Sequence, residues 1–427
     1  MYFLYSACLS FLFFILSPYF LYQAIRHGKH LDSFRQRLGR LPEAVRSDGR
    51  ATIWLHAVSV GEFVAARALI DRLALTKPDW RIVVSTTTLT GQRLAKAQSS
   101  PGPENVFYFP FDWAFAARRA LDWVKPSAVI IIETELWPNF LRECRRRKLT
   151  AVLVNGRISP RSFAGYKRAR RFMSRVLGDL SLMVMQSTAD VTRAFELGAE
   201  SRRVRLCGNL KYDAQLPDYS DASIGRALGV EASRHLIVAG STAPGEEQLL
   251  LAALRDVRER TGLEDARLLI APRHPERFEE VAQIIARSGF SSIRRSRTNF
   301  AGRKANDVVL LDSIGELAAV YRHAAVVFVG GSLVPRGGHN VIEPAAWAKP
   351  IVVGPHTENF RKIVSDFLNA NAIVQLTDPS SLALELVRLL SDKDRAAEMG
   401  ERARGLLKSN SGAVDCTIRA IEEALRQ

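Results

Sequence analysis

Residues 52–70, "TIWLHAVSVGEFVAARALI", decide the fold, because they predict a strand, a short turn and a helix in succession. The turn carries Ser59 and Gly61, and Glu62 lies where the helix begins. A carboxylate at this position has two explanations. It complements the positive end of the helix dipole, or it acts as a catalytic base at the carboxyl end of a strand, where open α/β sheets bind ligands.

The alternation of short apolar runs and helical stretches continues along the chain in two series. Continuous apolar runs are typical of parallel strands covered on both faces. Residues 208–234 are rich in turn formers and indicate a linker between the series. We therefore predict two doubly wound α/β domains with a cleft between them. The predicted strands lie at 52–57, 81–86, 128–133, 151–155, 182–186, 235–240, 267–271, 307–311, 325–330 and 350–353.

The amino terminus predicts a membrane anchor. Residues 2–22 carry no charge, and about 20 apolar residues can span a bilayer. Basic residues follow, so the positive-inside rule places the rest of the chain on the cytoplasmic side. We expect an uncleaved anchor at residues 1–25, either spanning the membrane or embedded in one leaflet. The alternative, a cleaved signal peptide, is disfavoured because a basic n-region and a small-residue cleavage motif are missing.

The charge of the chain favours anionic partners. The formal net charge is +16 and the sequence pI is about 10.0, which suits phosphorylated substrates or an anionic membrane surface. Two basic stretches, 142–148 and 161–178, are either solvated helix faces or contacts to anionic lipids. No nucleic-acid-binding motif accompanies them, so nucleic acid is not an expected partner.

Several other chemistries lack their usual sequence signals. The four cysteines are far apart, which argues against a disulfide scaffold or structural zinc and fits a reducing compartment. No GxGxxG follows a predicted strand and no GxxxxGK[ST] occurs, which disfavours a dinucleotide oxidoreductase and a P-loop ATPase. We predict neither a bound metal nor a cofactor.

Small and basic residues follow two predicted strands in the second half of the chain. Ser241 and Thr242 precede a helix start of the kind that binds anions, with a plain helix cap as the alternative. Arg273 and His274 follow the next strand, and arginine suits bidentate binding of phosphate or carboxylate. Because parallel strands end at one edge of a sheet, we expect these four residues to share that edge.

The stretch "GGSLVPRGGHNVIEP", residues 330–344, is the most informative. Gly337 and Gly338 allow the backbone to approach a ligand. His339 and Asn340 lie at the start of a helix, and Glu343 follows at a spacing that faces the same ligand. The pattern suits a nucleotide, with Glu343 at the ribose hydroxyls. A capping box would explain Asn340 and Glu343, but not the glycines or His339.

Further candidates follow strands of the first half. Glu133 and Glu135 end a predicted strand at the same edge as Glu62, and Arg157 follows the next one. A buried carboxylate is costly unless it is paired. Glu133 is therefore either part of a site or a structural residue.

Seven motifs, in order, resemble those of bacterial 3-deoxy-D-manno-octulosonic acid (Kdo) transferases, the lipid A Kdo transferases of lipopolysaccharide synthesis. The resemblance runs from about residue 30 to about residue 370. One departure is Ala243, which stands where histidine is expected in many relatives. The motifs are "HAVSVGE", "ETELWPN", "NGRIS", "GNLKYD", "GSTAPGEE", "PRHPERF" and "GGSLVPRGGHNVIEPA".

The resemblance implies a GT-B glycosyltransferase with two Rossmann-like domains. It implies CMP-Kdo as the donor and lipid IVA as the acceptor, with inversion at the anomeric carbon and release of CMP. It also implies a location at the cytoplasmic face of the inner membrane of a Gram-negative bacterium. The implied parts are the anchor at 1–25, an acceptor domain at 30–212, a nucleotide-sugar domain at 213–405 and a helix at 406–427 that packs back on the acceptor domain.

The resemblance also implies residue roles. Glu62 would be the general base, and we expect its carboxylate near a helix N-terminus to be ionised at neutral pH. The donor residues would be Ser241, Thr242, Arg273, His274, Gly337, Gly338, His339, Asn340, Glu343 and Asn359. The acceptor-side or structural residues would be Ser59, Gly61, Glu133, Glu135, Arg157 and Lys211.

Three other hypotheses stay open. The first is another membrane-associated GT-B enzyme that uses a UDP-sugar. The second is an isomerase of the UDP-N-acetylglucosamine 2-epimerase type, which has no need of an anchor. The third is a non-catalytic, membrane-tethered binding module, for which Glu62→Gln would alter no activity.

Overall fold

The computed structural model describes residues 1–27, 31–98, 100–213, 224–225, 228–230, 234–297 and 307–426. For residues 16–27, 31 and 32 it describes the backbone but not the side chains. Most of the predicted linker, 208–234, lies outside the described residues. The chain forms two compact units, Met1–Ala214 with Asn410–Gln427 and Gln215–Ser409.

The first unit is built on a sheet of seven strands, all paired in parallel. The strands are β1 (Thr52–His56), β2 (Arg81–Thr86), β3 (Val106–Tyr108), β4 (Ala128–Ile132), β5 (Thr150–Gly156), β6 (Leu182–Met185) and β7 (Val204–Leu206). Their order is β3-β2-β1-β4-β5-β6-β7. The order therefore reverses between β1 and β4, which makes that pair the switch point of the sheet.

Alternate residues of the strands supply two separate cores. Ile53 and Leu55 of β1 belong to one buried cluster and Trp54 to another, as the two-residue period of a strand requires. Both faces are covered, which explains why the strands are continuous apolar runs. The helices of this part of the chain are α1 (Tyr2–His27), α2 (Leu31–Arg37), α3 (Val60–Thr76), α4 (Leu89–Lys96), α5 (Ala114–Val124), α6 (Pro138–Arg146), α7 (Pro160–Arg168), α8 (Arg170–Gly178) and α9 (Thr188–Glu196).

The second unit repeats this architecture. Its strands are β8 (Leu236–Thr242), β9 (Arg267–Pro272), β10 (Ser292–Arg294), β11 (Val308–Leu310), β12 (Val326–Val329), β13 (Ile351–Val353) and β14 (Val374–Gln375). They form a parallel sheet of order β10-β11-β9-β8-β12-β13-β14, whose switch point lies between β8 and β12. Its helices are α10 (Glu246–Arg258), α11 (Phe278–Arg287), α12 (Leu317–Val320), α13 (Ile342–Ala346), α14 (Arg361–Asn369), α15 (Leu382–Ser391) and α16 (Lys393–Asn410).

The last helix, α17 (Ala413–Arg426), packs on the first unit. Its Val414, Ile418 and Ile421 join the buried cluster that contains β1 and α3. A disulfide joins Cys207, just after β7, to Cys416 of α17. The wide spacing of the cysteines argued against a disulfide scaffold and did not predict this single disulfide. The pair is separated by 209 residues, so sequence spacing gave no sign that the fold brings the two thiols together.

Helix α1 packs on the first unit along one face. The ring of Tyr2 lies against Phe172 of α8, with 5.5 Å between centroids, and Trp113 donates a 3.1 Å hydrogen bond to Ser10. Phe13 stacks edge-on against Trp113 at 4.8 Å. Among the described residues, no helix combines the length and the apolar character needed to cross a membrane. The predicted spanning anchor at residues 1–25 is therefore not supported.

Candidate active site

The switch point of the first sheet gathers three carboxylates. Glu62 lies in the first turn of α3, directly after β1, and Glu133 and Glu135 follow β4. The charges of Glu133 and Glu135 both act on the Glu62 carboxyl, so the three side chains are neighbours. Ligands bind at such crevices in open α/β sheets because the loops on either side diverge there.

The Glu62 carboxylate folds back onto the turn before its helix. Its Oε2 accepts a 2.7 Å hydrogen bond from the backbone N–H of Val58, and Ser59 donates a longer bond of 3.4 Å to Oε1. Burial raises the pKa of Glu62 to about 7; the Val58 hydrogen bond opposes this shift, and the charges of Glu133 and Glu135 add to it. A pKa of about 7 leaves Glu62 only partly ionised at neutral pH, in contrast to the expected ionised carboxylate, because burial outweighs the hydrogen bond from Val58.

Glu133 is paired and conformationally unusual. Lys211 Nζ lies 3.3 Å from its Oε1, which offsets the cost of a poorly solvated carboxylate. Its φ is +62°, and Asn155 at the end of β5 has φ +56°. Non-glycine residues in the left-handed region cost about 1–3 kcal/mol each and cluster at functional sites. Burial also raises the pKa of Glu135, with the charge of Glu133 acting in the same direction.

The remaining predicted residues of the first unit, Ser59, Gly61 and Arg157, make fewer contacts with the three carboxylates. Gly61 and Arg157 are exposed and Ser59 is half-buried. Ser59 donates a hydrogen bond to Glu62. Among the described residues, Arg157 forms no hydrogen bond or ion pair with the three carboxylates.

Two ring nitrogens that the motif analysis did not single out lie near this edge. His56 ends β1 and stacks on Phe109 at 3.8 Å, and burial lowers its pKa to about 3, so its imidazole is neutral. Nε2 of His56 and Nε1 of Trp137 are both buried without a hydrogen-bond partner among the described residues. An unpaired buried polar atom costs about 1–3 kcal/mol. The position of His56 in "HAVSVGE" was the available signal.

A buried carboxylate ties together the two loops at the switch point of the second sheet. Glu246 of α10 accepts hydrogen bonds from four backbone N–H groups, one in the turn after β8 and three after β12. These donors are Ala243 at 2.8 Å, Gly331 at 2.7 Å, Ser332 at 2.9 Å and Leu333 at 2.8 Å. These four amides are therefore satisfied within the protein, and the anion site at Ser241 and Thr242 stays a prediction.

Thr242 is likewise already engaged. It is fully buried and donates a 2.7 Å hydrogen bond to Glu247, whose carboxylate also pairs with Arg277 at 2.8 Å. The Thr242 hydroxyl therefore already has a partner within the protein, and its contact with the donor stays a prediction. Ser241 differs, because it is half-buried and has φ +58°.

The predicted donor residues Arg273, His274, His339, Asn340 and Glu343 of the second unit lie close to one another. Arg273 and His274 are exposed. Burial lowers the pKa of His339 to about 4, and the charges of Arg273 and His274 add to this shift. Burial raises the pKa of Glu343, opposed by a 3.0 Å hydrogen bond from Asn340 and by the charge of Arg273. Arg273 thus lies among these side chains.

The turn formed by Gly337 and Gly338, called here the glycine turn, depends on left-handed backbone conformations and on the side chain of Asn359. Gly337 has φ +87° and Gly338 has φ +72°. The Asn359 amide donates to the carbonyls of Arg336 at 3.1 Å and Gly338 at 3.3 Å, and a Cβ on Gly337 would lie 2.6 Å from Asn359 Nδ2. Asn359 therefore shapes the turn.

Comparison with known proteins now identifies the class and the family. The fold matches a putative UDP-N-acetylglucosamine 2-epimerase from Listeria monocytogenes, with a TM-score of 0.55, 14% identity and coverage of 88% of this chain and 96% of that one. It also matches a glycosyltransferase from Rickettsia africae, with a TM-score of 0.55, 13% identity and coverage of 89% and 100%. The chain therefore has the two-domain parallel α/β fold of these sugar-nucleotide enzymes and glycosyltransferases.

Residues 32–214 match the family described as 3-deoxy-D-manno-octulosonic-acid transferase (kdotransferase). The 3-deoxy-D-manno-octulosonic acid transferase of Haemophilus influenzae is 33% identical over 366 residues, 85% of this chain and 84% of that protein. That of Bordetella pertussis is 32% identical over 394 residues, 91% of each. The chain belongs to the Kdo transferase family and is a glycosyltransferase, which confirms the resemblance inferred from the motifs.

Proposed function

We propose that this protein transfers Kdo from CMP-Kdo to lipid IVA, with Glu62 as the general base. The observation that carries the proposal is the Glu62 carboxyl at a sheet switch point with a pKa of about 7. A general base works best when its pKa lies near the operating pH. Family membership supplies the transferred sugar, and the two substrates are the ones that the motif resemblance implies.

In the proposed reaction, a hydroxyl oxygen of lipid IVA attacks C2 of Kdo on the face opposite the CMP group. The new C2–O bond forms while the bond from C2 to the phosphate oxygen breaks, and its electron pair leaves with CMP. The hydroxyl proton passes to Glu62. Lys211 holds Glu133 as an ion pair, which limits the repulsion that Glu62 meets when it ionises.

Side chains of the second unit would hold the donor. Arg273 and His274 are exposed and would bind the phosphate, with the Ser241 hydroxyl as a further donor. His339, whose pKa is lowered to about 4, would contribute a neutral hydrogen bond. Glu343, held by Asn340, would accept the ribose hydroxyls. Thr242, Asn359 and Glu246 would act by shaping the loops.

The surface of the first unit supports a location at the cytoplasmic face of the inner membrane. Phe172 of α8 contacts Tyr2 and Tyr5 of α1, so the apolar helix and the basic stretch are contiguous. We propose that α1 embeds in one leaflet while α7 and α8 meet anionic lipids. The exposed apolar residues of α1 are Phe3, Leu4, Phe11, Leu12, Phe14 and Ile15, and the exposed basic residues are Arg161, Lys167, Arg168, Arg170, Arg171 and Arg175.

Mass spectrometry of lipid IVA incubated with detergent-purified protein tests the proposal. With CMP-Kdo generated in place, the acceptor should gain the mass of one Kdo or a whole multiple of it. A parallel reaction with UDP-sugars should leave the acceptor unchanged. Transfer from a UDP-sugar but not from CMP-Kdo would contradict the proposal and favour the UDP-sugar hypothesis.

A further inference from the structure

A basic cavity lies in the first unit, at the amino-terminal ends of the strands, opposite the end that carries Glu62. Its volume is about 620 Å³, and its wall includes the starts of β5 and β6, the end of α8 and part of α17. Strand β5 is seven residues long, so at about 3.3 Å per residue the two ends are roughly 20 Å apart. The cavity is therefore separate from the proposed catalytic residues.

Five cationic side chains line the cavity together with the carboxylates of Asp179 and Glu423. Asp179 pairs with Arg145 at 3.2 Å and also accepts a hydrogen bond from Tyr2. Glu200, which is not part of the wall, pairs with Arg202 at 2.8 Å and with Arg203 at 3.3 Å. Among the described residues, no carboxylate forms an ion pair with two of the cations, Lys148 and Arg205. The cations are Arg145, Lys148, Arg202, Arg203 and Arg205.

Two of the guanidinium groups are held side by side. Nη1 of Arg145 and Nη1 of Arg203 donate to the same acceptor, the carbonyl oxygen of Gly178, at 2.9 and 2.7 Å. Arg203 donates to the Leu180 carbonyl as well, at 3.0 Å. Arg205 is also tied to the backbone, at 3.2 Å from the carbonyl oxygens of Arg202 and Val204. Carboxylates already balance the charges of Arg145, Arg202 and Arg203, so the charges that a bound anion would balance are those of Lys148 and Arg205.

The side chains match phosphate chemistry. An arginine has five N–H donors, so donors remain on guanidinium groups that give only one or two to backbone carbonyls. Arginine forks bind phosphate oxygens with paired hydrogen bonds, and Lys148 adds a mobile point charge. Because the backbone already orients the arginines, little side-chain entropy is lost on binding.

We propose that this cavity is a binding site for a phosphate-bearing anion, distinct from the donor and acceptor residues. The phosphate belongs either to a small soluble phosphate ester or to a lipid headgroup, since Tyr2 places the start of α1 beside Asp179. The proposal does not depend on the proposed transfer reaction, because binding is measured without either substrate.

Inorganic pyrophosphate serves as the soluble probe, titrated calorimetrically into the full chain at constant ionic strength. The test variant is Lys148→Glu with Arg205→Glu, and the matched control is Lys96→Glu with Arg118→Glu, whose residues are exposed elsewhere on the first unit. We expect the test variant to bind about tenfold more weakly, as the loss of one charge-assisted hydrogen bond predicts, and the control to bind as the unmodified protein does. Lys148→Gln with Arg205→Gln keeps the test valid if charge reversal prevents folding.

Sedimentation with vesicles separates the two sources of phosphate. If the site takes a lipid headgroup, the test variant should lose about tenfold in affinity for phosphatidylglycerol vesicles, as for one lost charge-assisted contact, but not for phosphatidylcholine vesicles. If the site takes a soluble ester, the test variant should bind pyrophosphate more weakly than the unmodified protein but should bind both kinds of vesicle equally well. Equal behaviour of test and control variants in both assays would overturn the proposal.

Discussion

The backbone N–H of Val58 donates a 2.7 Å hydrogen bond to Oε2 of Glu62, at the turn that joins β1 to α3. This bond favours the ionised carboxylate, whereas burial and the charges of Glu133 and Glu135 favour the protonated acid. The opposing effects leave the pKa of Glu62 at about 7. The side chain can therefore exchange a proton at neutral pH.

The pH dependence of transfer follows from this pKa. A base must be ionised to accept the proton, so kcat/KM should be constant above about pH 8 and fall below pH 7. Well below the pKa the decrease should approach about tenfold per pH unit. Initial rates at saturating CMP-Kdo and low lipid IVA, from pH 5 to pH 9, measure the profile. An acid limb centred near pH 4.5, the ordinary pKa of a glutamate, would contradict the raised pKa of Glu62.

Replacing Glu133 should move that acid limb. The charge of Glu133 raises the pKa of Glu62, so Glu133→Gln should shift the limb to lower pH and leave the plateau rate within about tenfold. The matched control is Glu104→Gln, an exposed glutamate of the same unit, which should leave the limb in place. An upward shift in Glu133→Gln would contradict the assigned electrostatics.

The glycine turn should be sensitive to a single methyl group. Gly337→Ala places Cβ 2.6 Å from Asn359 Nδ2 at φ +87°. A left-handed non-glycine residue costs about 1–2 kcal/mol, so KM for CMP-Kdo should rise roughly tenfold. Gly405→Ala is the control, because Gly405 lies in α16 with no atom within 4 Å of the added Cβ. Similar KM values in both variants would remove Gly337 from the donor site.

Membrane association should depend on the exposed face of α1. Phe11 is 69% and Leu12 is 53% exposed, so replacing both with serine removes apolar area from the proposed leaflet contact without disturbing the buried face. At about 25 cal/mol per Å², binding to phosphatidylglycerol vesicles should weaken at least about tenfold in a sedimentation assay. Leu384→Ser, at a residue of the second unit that is 49% exposed, is the control. Unchanged sedimentation of the α1 variant would contradict the proposed embedding.

The sequence predicts the centre of each sheet better than its edges. The ten predicted strands correspond to the buried central strands, whose apolar runs are long enough to recognise. The strands that the sequence does not predict are β3, β7, β10 and β14, and all four lie at sheet edges. These strands are only two or three residues long, too short for a recognisable period. Strand β7 is also partly solvated, as the exposed Arg205 and Leu206 show.

Contacts across the fold explain what the motifs could not predict. Thr242 and Glu246 occur in one motif, but three of the four hydrogen-bond partners of Glu246 lie 85 to 87 residues away. The pairing of Lys211 with Glu133 likewise needs the folded sheet. The pKa of Glu62 depends on burial and on two carboxylates from another loop. The predicted cleft between the two domains stays a prediction.

The central claim, Kdo transfer with Glu62 as base, is tested most directly by comparing Glu62→Gln with the unmodified protein. Single-turnover mass spectrometry of lipid IVA would give the rate, and calorimetry with CMP-Kdo would give donor affinity. Glu62→Gln should keep its donor affinity and lose at least about 100-fold in rate, the usual effect of removing a general base. Glu104→Gln should retain both. A near-normal rate in Glu62→Gln would contradict the account.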